Sequence, residues 1–73
     1  MATIDVVSPM AGSIKEILVS VGEKVTPGQE IIILESMKME IPVESPGSGS
    51  ITEILVTAAT AVEEGQLLLR MDA

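Results

Sequence analysis

Shifted along itself by 37 positions, the chain aligns residues 4–36 on residues 41–73 without a gap, and fourteen of the 33 pairs are identical. The matches include Ser8-Pro9 with Ser45-Pro46, Gly12-Ser13-Ile14 with Gly49-Ser50-Ile51, Glu16-Ile17-Leu18-Val19 with Glu53-Ile54-Leu55-Val56, and Gly28-Gln29 with Gly65-Gln66. A repeat of this length is a duplicated supersecondary unit. Two copies are too few for an open solenoid, so the halves are expected to close on each other about a pseudo-two-fold axis. Residues 1–73 then form one domain with halves 4–36 and 41–73, joined only by Met37-Lys38-Met39-Glu40.

Size makes closure necessary. A chain this short buries only about 60% of its unfolded surface, and with no Cys and no His it has neither a disulfide nor a structural zinc site to compensate. What it has is a 47% apolar fraction without a single aromatic residue. A closed all-β structure filled with aliphatic side chains is the economical answer.

In chain order, Ile4 to Val7 is a short apolar stretch halted by Ser8-Pro9. Ile14 to Val21 is rich in β-branched residues, which suits a strand. Gly22-Glu23-Lys24 reads as a turn and Val25-Thr26 as a minimal strand. Pro27-Gly28 suits a type II turn, where glycine supplies the positive φ. Glu30 to Leu34 is apolar enough to be buried on both faces. The second copy repeats this programme: Ile41 to Glu44, Ser50 to Thr57, a loop near Ala58 to Thr60, Val62, and Leu67 to Met71. Helix competes over Ala58 to Leu69, but the matching segment contains Gly22 and Pro27, and both copies should share one backbone. About four short strands per copy give a β-sandwich or flattened barrel.

Read naively, Gln29 to Glu44 is one strand far longer than the usual five or six residues. Duplication requires the chain to reverse between Glu35 and Glu40, with Met37-Lys38 near the tip. Tight hairpins prefer Asn-Gly and similar pairs that adopt positive φ, so lysine there carries strain of about 1 kcal/mol or more. Residues kept against local preference point to function. By the same symmetry the chain ends occupy the equivalent place, at the opposite end of the domain.

Eleven acidic residues against four basic ones leave a net charge of −7. Nucleic-acid binding needs a basic footprint, usually with stacking aromatics, and is excluded. No apolar run reaches membrane-spanning length and no signal peptide opens the chain. The expectation is a cytoplasmic protein, monomeric on its own, whose acidity steers it toward basic enzyme surfaces. Without His or Cys the usual general base and soft metal ligand are missing, so no catalytic residue and no metal site are assigned.

That leaves an amine. Lys15 is an outward strand position matched to Thr52, Lys24 lies in a loop matched to Ala61, and Lys38 has no counterpart in the repeat. A hairpin lysine between Glu35 and Glu40 is ordinarily a solvated charge. Here it sits at the internal junction, in a strained turn, bracketed by two methionines. Met37 and Met39 could fill gaps in a core, but at a hairpin they are more naturally something a partner enzyme grips.

At these residues the chain resembles the biotinyl domain, the biotin carboxyl carrier module of biotin-dependent carboxylases, within the wider biotinyl/lipoyl attachment family. The family motif is of the Glu-Ala-Met-Lys-Met type and reads Glu35-Ser36-Met37-Lys38-Met39 here, with Ser36 a small-for-small departure. Likeness extends to Ser8-Pro9-Met10-Ala11-Gly12, Gly22 to Val25, Gly28-Gln29 and Gly65, and so spans essentially the whole chain.

The resemblance implies a flattened barrel of two four-stranded antiparallel sheets with the lysine on a protruding hairpin. It implies that a biotin protein ligase recognises Glu35, Met37 and Met39, and that the Lys38 amine attacks the acyl carbon of biotinyl-adenylate to form an amide. Biotin carboxylase would then carboxylate the ureido nitrogen using ATP and bicarbonate, and the loaded arm would visit a carboxyltransferase. The domain itself would be a carrier and not an enzyme, raising the tethered cofactor's effective concentration at two sites.

The alternative is a lipoyl carrier, or dual attachment, with lipoate on the same lysine. Lipoyl domains typically carry Asp before the lysine and Ala after it, so the methionines favour biotin. A third reading, a lipoyl-like structural module, would keep the fold and lose the lysine's role. The ungapped self-alignment leaves no room for the thumb of the bacterial acetyl-CoA carboxylase carrier subunit. The expectation is therefore a minimal attachment protein or a carrier for another acyl-CoA, pyruvate or urea carboxylase.

Overall fold

The computed structural model describes residues 2–73; Met1, the first residue of the expected domain, lies outside the described residues. Eight strands follow one another: β1 (Thr3–Val7), β2 (Gly12–Ile17), β3 (Lys24–Val25), β4 (Glu30–Ser36), β5 (Met39–Glu44), β6 (Gly49–Ile54), β7 (Ala61–Val62) and β8 (Leu67–Asp72). They form two four-stranded sheets, in the orders β1-β8-β6-β3 and β5-β4-β2-β7. Every neighbouring pair is antiparallel. The all-β architecture read from the repeat is present, and the helix that competed for 58–69 is replaced by β7 and β8.

At the 37-residue offset, β1 to β4 correspond to β5 to β8, and substituting each strand by its counterpart turns the order of one sheet into that of the other. The pseudo-two-fold is therefore real, and it interlocks the halves: each sheet takes two strands from each copy. The core obeys the same symmetry. Its fourteen buried apolar side chains are seven repeat pairs: Val6/Val43, Ile14/Ile51, Val19/Val56, Val25/Val62, Ile31/Leu68, Ile32/Leu69 and Leu34/Met71. Because the period of a strand is two, a one-residue register slip would turn this set outward, so the core also helps to fix the register.

Local chemistry explains where strands stop. Pro9 and Pro46 follow serines that are themselves buried, and Ser8 Oγ and Ser45 Oγ donate to the carbonyls of Met10 and Gly47, each at 2.6 Å. A buried hydroxyl without such an acceptor would be costly. The Thr26–Gln29 turn closes by a Gln29 N–H to Thr26 carbonyl bond of 3.1 Å with Gly28 at φ +82°, as a type II turn requires. Its counterpart at Glu63–Gln66 places Gly65 at the same φ.

Three details of the first copy differ from the sequence reading. The first long strand stops at Ile17, four residues short, because the chain must cross to the other sheet; Leu18 N–H makes one last bond to the Ile31 carbonyl and Val19 is buried in the core. Glu30 to Leu34 is not buried on both faces. A bulge between Glu30 and Ile32 sends Ile31 and Ile32 both inward, while Ile33 remains half-exposed outside. Lys24 opens β3, paired with Ser50, instead of lying in a turn.

The two ends of the body, which measures 36 × 18 × 17 Å, carry different things. Glu35 on β4 lies beside Ser13, at the start of β2. At the far end of β2 the Ser20–Glu23 turn reaches Ile51, next to the Ser50–Asp72 pair and the chain ends, where Ala73 N–H meets the Ala2 carbonyl at 2.9 Å. The β4–β5 hairpin and the termini are therefore opposite, as symmetry requires.

Candidate functional site

The β4–β5 ladder runs Leu34↔Ile41, Glu35↔Glu40, Ser36↔Met39, leaving Met37 and Lys38 as a two-residue loop. Both have positive φ, 51° and 66°. That is the type I′ geometry whose twist matches the flanking strands, adopted here by two residues that favour negative φ. The inner strands hold it: β2 pairs up to Ser13↔Glu35, so only the Ser36–Met39 pair and the loop project past the sheet. The lysine stands on a short, stiff support.

Met37, Lys38 and Met39 are all exposed, and Lys38 makes no ion pair or side-chain hydrogen bond among the described residues. The reason lies one strand away. Glu35 and Glu40 are directly opposite, a repulsive pairing, and Lys15 reaches across β4 to Glu40. It can do so because β2 bulges at Lys15: Ile14 pairs with Leu34 and Glu16 with Ile33, leaving the residue between them free to lean outward. In the second copy Thr52 occupies the bulge and donates instead to the Arg70 carbonyl at 3.2 Å. Lys15 thus occupies the carboxylate nearest in sequence on the Met39 side of Lys38.

Glu40, first through the hydrogen bond and then through its charge, with Glu35 and Glu16 adding, holds the Lys15 ammonium above its ordinary value near 10.5. A cation whose folded-state pKa is raised contributes stability below its unfolded value and loses that contribution as pH rises through the folded one. Glu40→Gln should therefore lower the Lys15 titration midpoint, read by NMR of its Cε protons. The wild-type advantage in stability should be small at neutral pH, shrink with salt, and vanish above the Lys15 midpoint. An unchanged midpoint would remove the pairing.

Two further features were not recognised in the sequence as parts of this site. Gly12 lies under the hairpin, where an added Cβ would stand 2.6 Å from the Glu35 carbonyl oxygen. The recurrence of Gly12 as Gly49 was visible, but only the packing reveals what it accommodates. The Lys15 to Glu40 contact required knowing both strand order and bulge. Two surface hollows, of about 390 and 470 Å³, are lined respectively by residues such as Val6, Pro9, Val43 and Pro46, and by Lys24, Thr26, Ser50 and Asp72. Neither is lined by Ser36, Met37, Lys38 or Met39.

Comparison with known proteins places this geometry. The family model Biotin_lipoyl, described as "Biotin-requiring enzyme", matches residues 3–71. The "Biotin/lipoyl attachment protein" of Bacillus subtilis (strain 168) is 53% identical over 34 residues, 47% of each chain. The tomato (Solanum lycopersicum) "Biotin carboxyl carrier protein of acetyl-CoA carboxylase" is 54% identical over 35 residues, 48% of this chain and 50% of that one. The matched stretch is thus about half the length of these relatives. Among solved structures, the Kluyveromyces lactis urea carboxylase superposes with a TM-score of 0.92 at 29% identity, over 99% of this chain and 6% of that one. A single-chain, multi-domain long-chain acyl-CoA carboxylase gives 0.89 at 26% identity, over 94% and 7%.

Proposed function

The chain belongs to the biotin/lipoyl attachment family, and on that premise we propose that it is a biotin carrier whose Lys38 receives the cofactor as an amide. The observation that carries the reading is the type I′ hairpin that holds an exposed lysine, unpaired among the described residues, between two exposed methionines. Relatives named as a biotin carboxyl carrier protein and as carboxylase subunits support biotin over lipoate.

Acylation asks little of this chain's own residues. The Lys38 nitrogen must approach an acyl-adenylate, give up a proton and displace AMP. Ser36 and Met39, paired at the hairpin neck, fix the direction of approach. Lys15 keeps Glu40 occupied, so the carboxylate does not draw the amine back onto the sheet. Met37, Met39 and Glu35 are the surface a biotin protein ligase would recognise. When bound, biotin supplies a nitrogen that accepts and releases a carboxyl group. The carrier would move that group between a biotin carboxylase and a carboxyltransferase, raising its effective concentration at each.

The test is intact-mass and peptide mass spectrometry after co-expression with a biotin ligase. One biotinyl group should appear on Lys38 and none in Lys38→Ala. A lipoyl adduct in its place would overturn the choice of cofactor, and modification at Lys15 or Lys24 would overturn the assigned site.

A further inference from the structure

We propose that Met37 and Met39 are an oxidation site for hydroperoxides, and that their conversion to sulfoxides closes Lys38 to acylation. The inference deepens the carrier reading and rests on it. Four methionines are described, and they form a graded series: Met37 is 89% exposed, Met39 59%, Met10 36% and Met71 0%. The two most exposed of the described methionines therefore flank the acceptor lysine on either side. At the opposite extreme Met71 lies in the core, its sulfur touched by Ser45 Oγ at 3.6 Å.

The hairpin itself produces this arrangement. Met37 occupies the first position of a type I′ loop, where no neighbouring strand covers it, and Met39 is the first residue of an edge strand. The chain contains no Cys, Trp or Tyr, so the side chains that compete for a mild peroxide are other methionines, and Met10 is less exposed than Met37 or Met39. In the step, a sulfur lone pair attacks the distal peroxide oxygen. The S–O bond forms as the O–O bond breaks, the departing oxygen takes a proton and leaves as water or an alcohol, and the thioether is oxidised by two electrons as the peroxide is reduced.

The consequence follows from polarity. A thioether is a flexible apolar side chain suited to an enzyme's apolar recognition pocket, whereas a sulfoxide is polar and chiral. Buried against such a pocket its oxygen is left without a donor, which lowers acceptance by about tenfold or more. Sulfoxides are reversible by methionine sulfoxide reductases, so the closure is reversible too.

The experiment treats the unmodified protein with dilute hydrogen peroxide, destroys the excess with catalase, and then splits the sample. Peptide mass spectrometry should show oxidation of Met37 first, then Met39, with Met10 slower and Met71 last while circular dichroism is unchanged. That order is measured without any ligase. A biotin ligase should then modify the treated protein about tenfold or more slowly than the untreated one, incubation with both reductases should restore the rate, and a Met10→Leu variant should behave the same way. Oxidation of Met71 at the rate of Met37, an undiminished rate at full Met37 and Met39 conversion, or loss of the peroxide effect in Met10→Leu would each overturn the proposal. Untreated protein that accepts no biotin would instead overturn the carrier reading, leaving the oxidation order standing.

Discussion

Exchanging the two loop residues, Met37→Lys with Lys38→Met, should cut biotinylation about a hundredfold while leaving the fold intact. Composition, charge and the length of the loop are all unchanged in this double variant, so only the placement of the amine is tested. The two positions are successive left-handed residues with φ of 51° and 66°. They belong to a turn and not to the strands, so the change of direction between them comes from the coiled backbone and not from the pleat. At about 3.6 residues per turn, adjacent side chains diverge by roughly 100°. An ångström-scale misplacement of a reacting atom is enough for a loss of about a hundredfold. Ligase kinetics on the purified variant are the check, with thermal unfolding to show that both proteins fold; an exchange that leaves the rate within about threefold would mean that fixed presentation is irrelevant.

The second large effect is on the scaffold. Gly12→Ala should lower stability by about 2 kcal/mol, which for a domain of this size is about 8–16 °C in melting temperature. The new Cβ would stand 2.6 Å from the Glu35 carbonyl oxygen and 3.3 Å from Ser36 Cβ. The first is backbone inside the sheet that carries the hairpin, so relief requires moving β2 away from β4 at the base of the lysine loop. Total stability for a chain of 73 residues is only roughly 4–11 kcal/mol, so the loss is a large fraction. Acceptance of biotin should fall alongside. Gly47→Ala is the control, since its Cβ would meet only Ile4 Cδ1 at 4.0 Å, and it should change stability by about 0.5 kcal/mol or less. Equal melting temperatures for the two variants would show that the hairpin base yields without cost.

These two substitutions probe parts of the protein that were unequally legible. The loop was readable because duplication is a covalent fact: if residues 4–36 and 41–73 share a backbone, the residues between them must reverse the chain. The same logic marked the core, since Ile14 and Ile51 or Val25 and Val62 recur at matching places and are buried together. Lys38 stood out because it alone among the three lysines had no aligned partner. Strand ends were read less well. Val19 looks like a strand residue by type, yet it lies in the connection between β2 and β3, where the chain crosses between sheets, and is buried in the core.

The repeat, the apolar positions and the hairpin's place are properties of residues near one another in sequence or related by a fixed offset, and such properties can be read from one dimension. The interlocking of the halves, the bulge that frees Lys15 to reach Glu40, and the space Gly12 leaves beneath Glu35 depend on which distant strands become neighbours. That pairing is set by closing a common core, in which every strand's register is decided by all the others at once. Local preference contributes little to it, as Met37 and Lys38 show by holding positive φ in their two-residue loop.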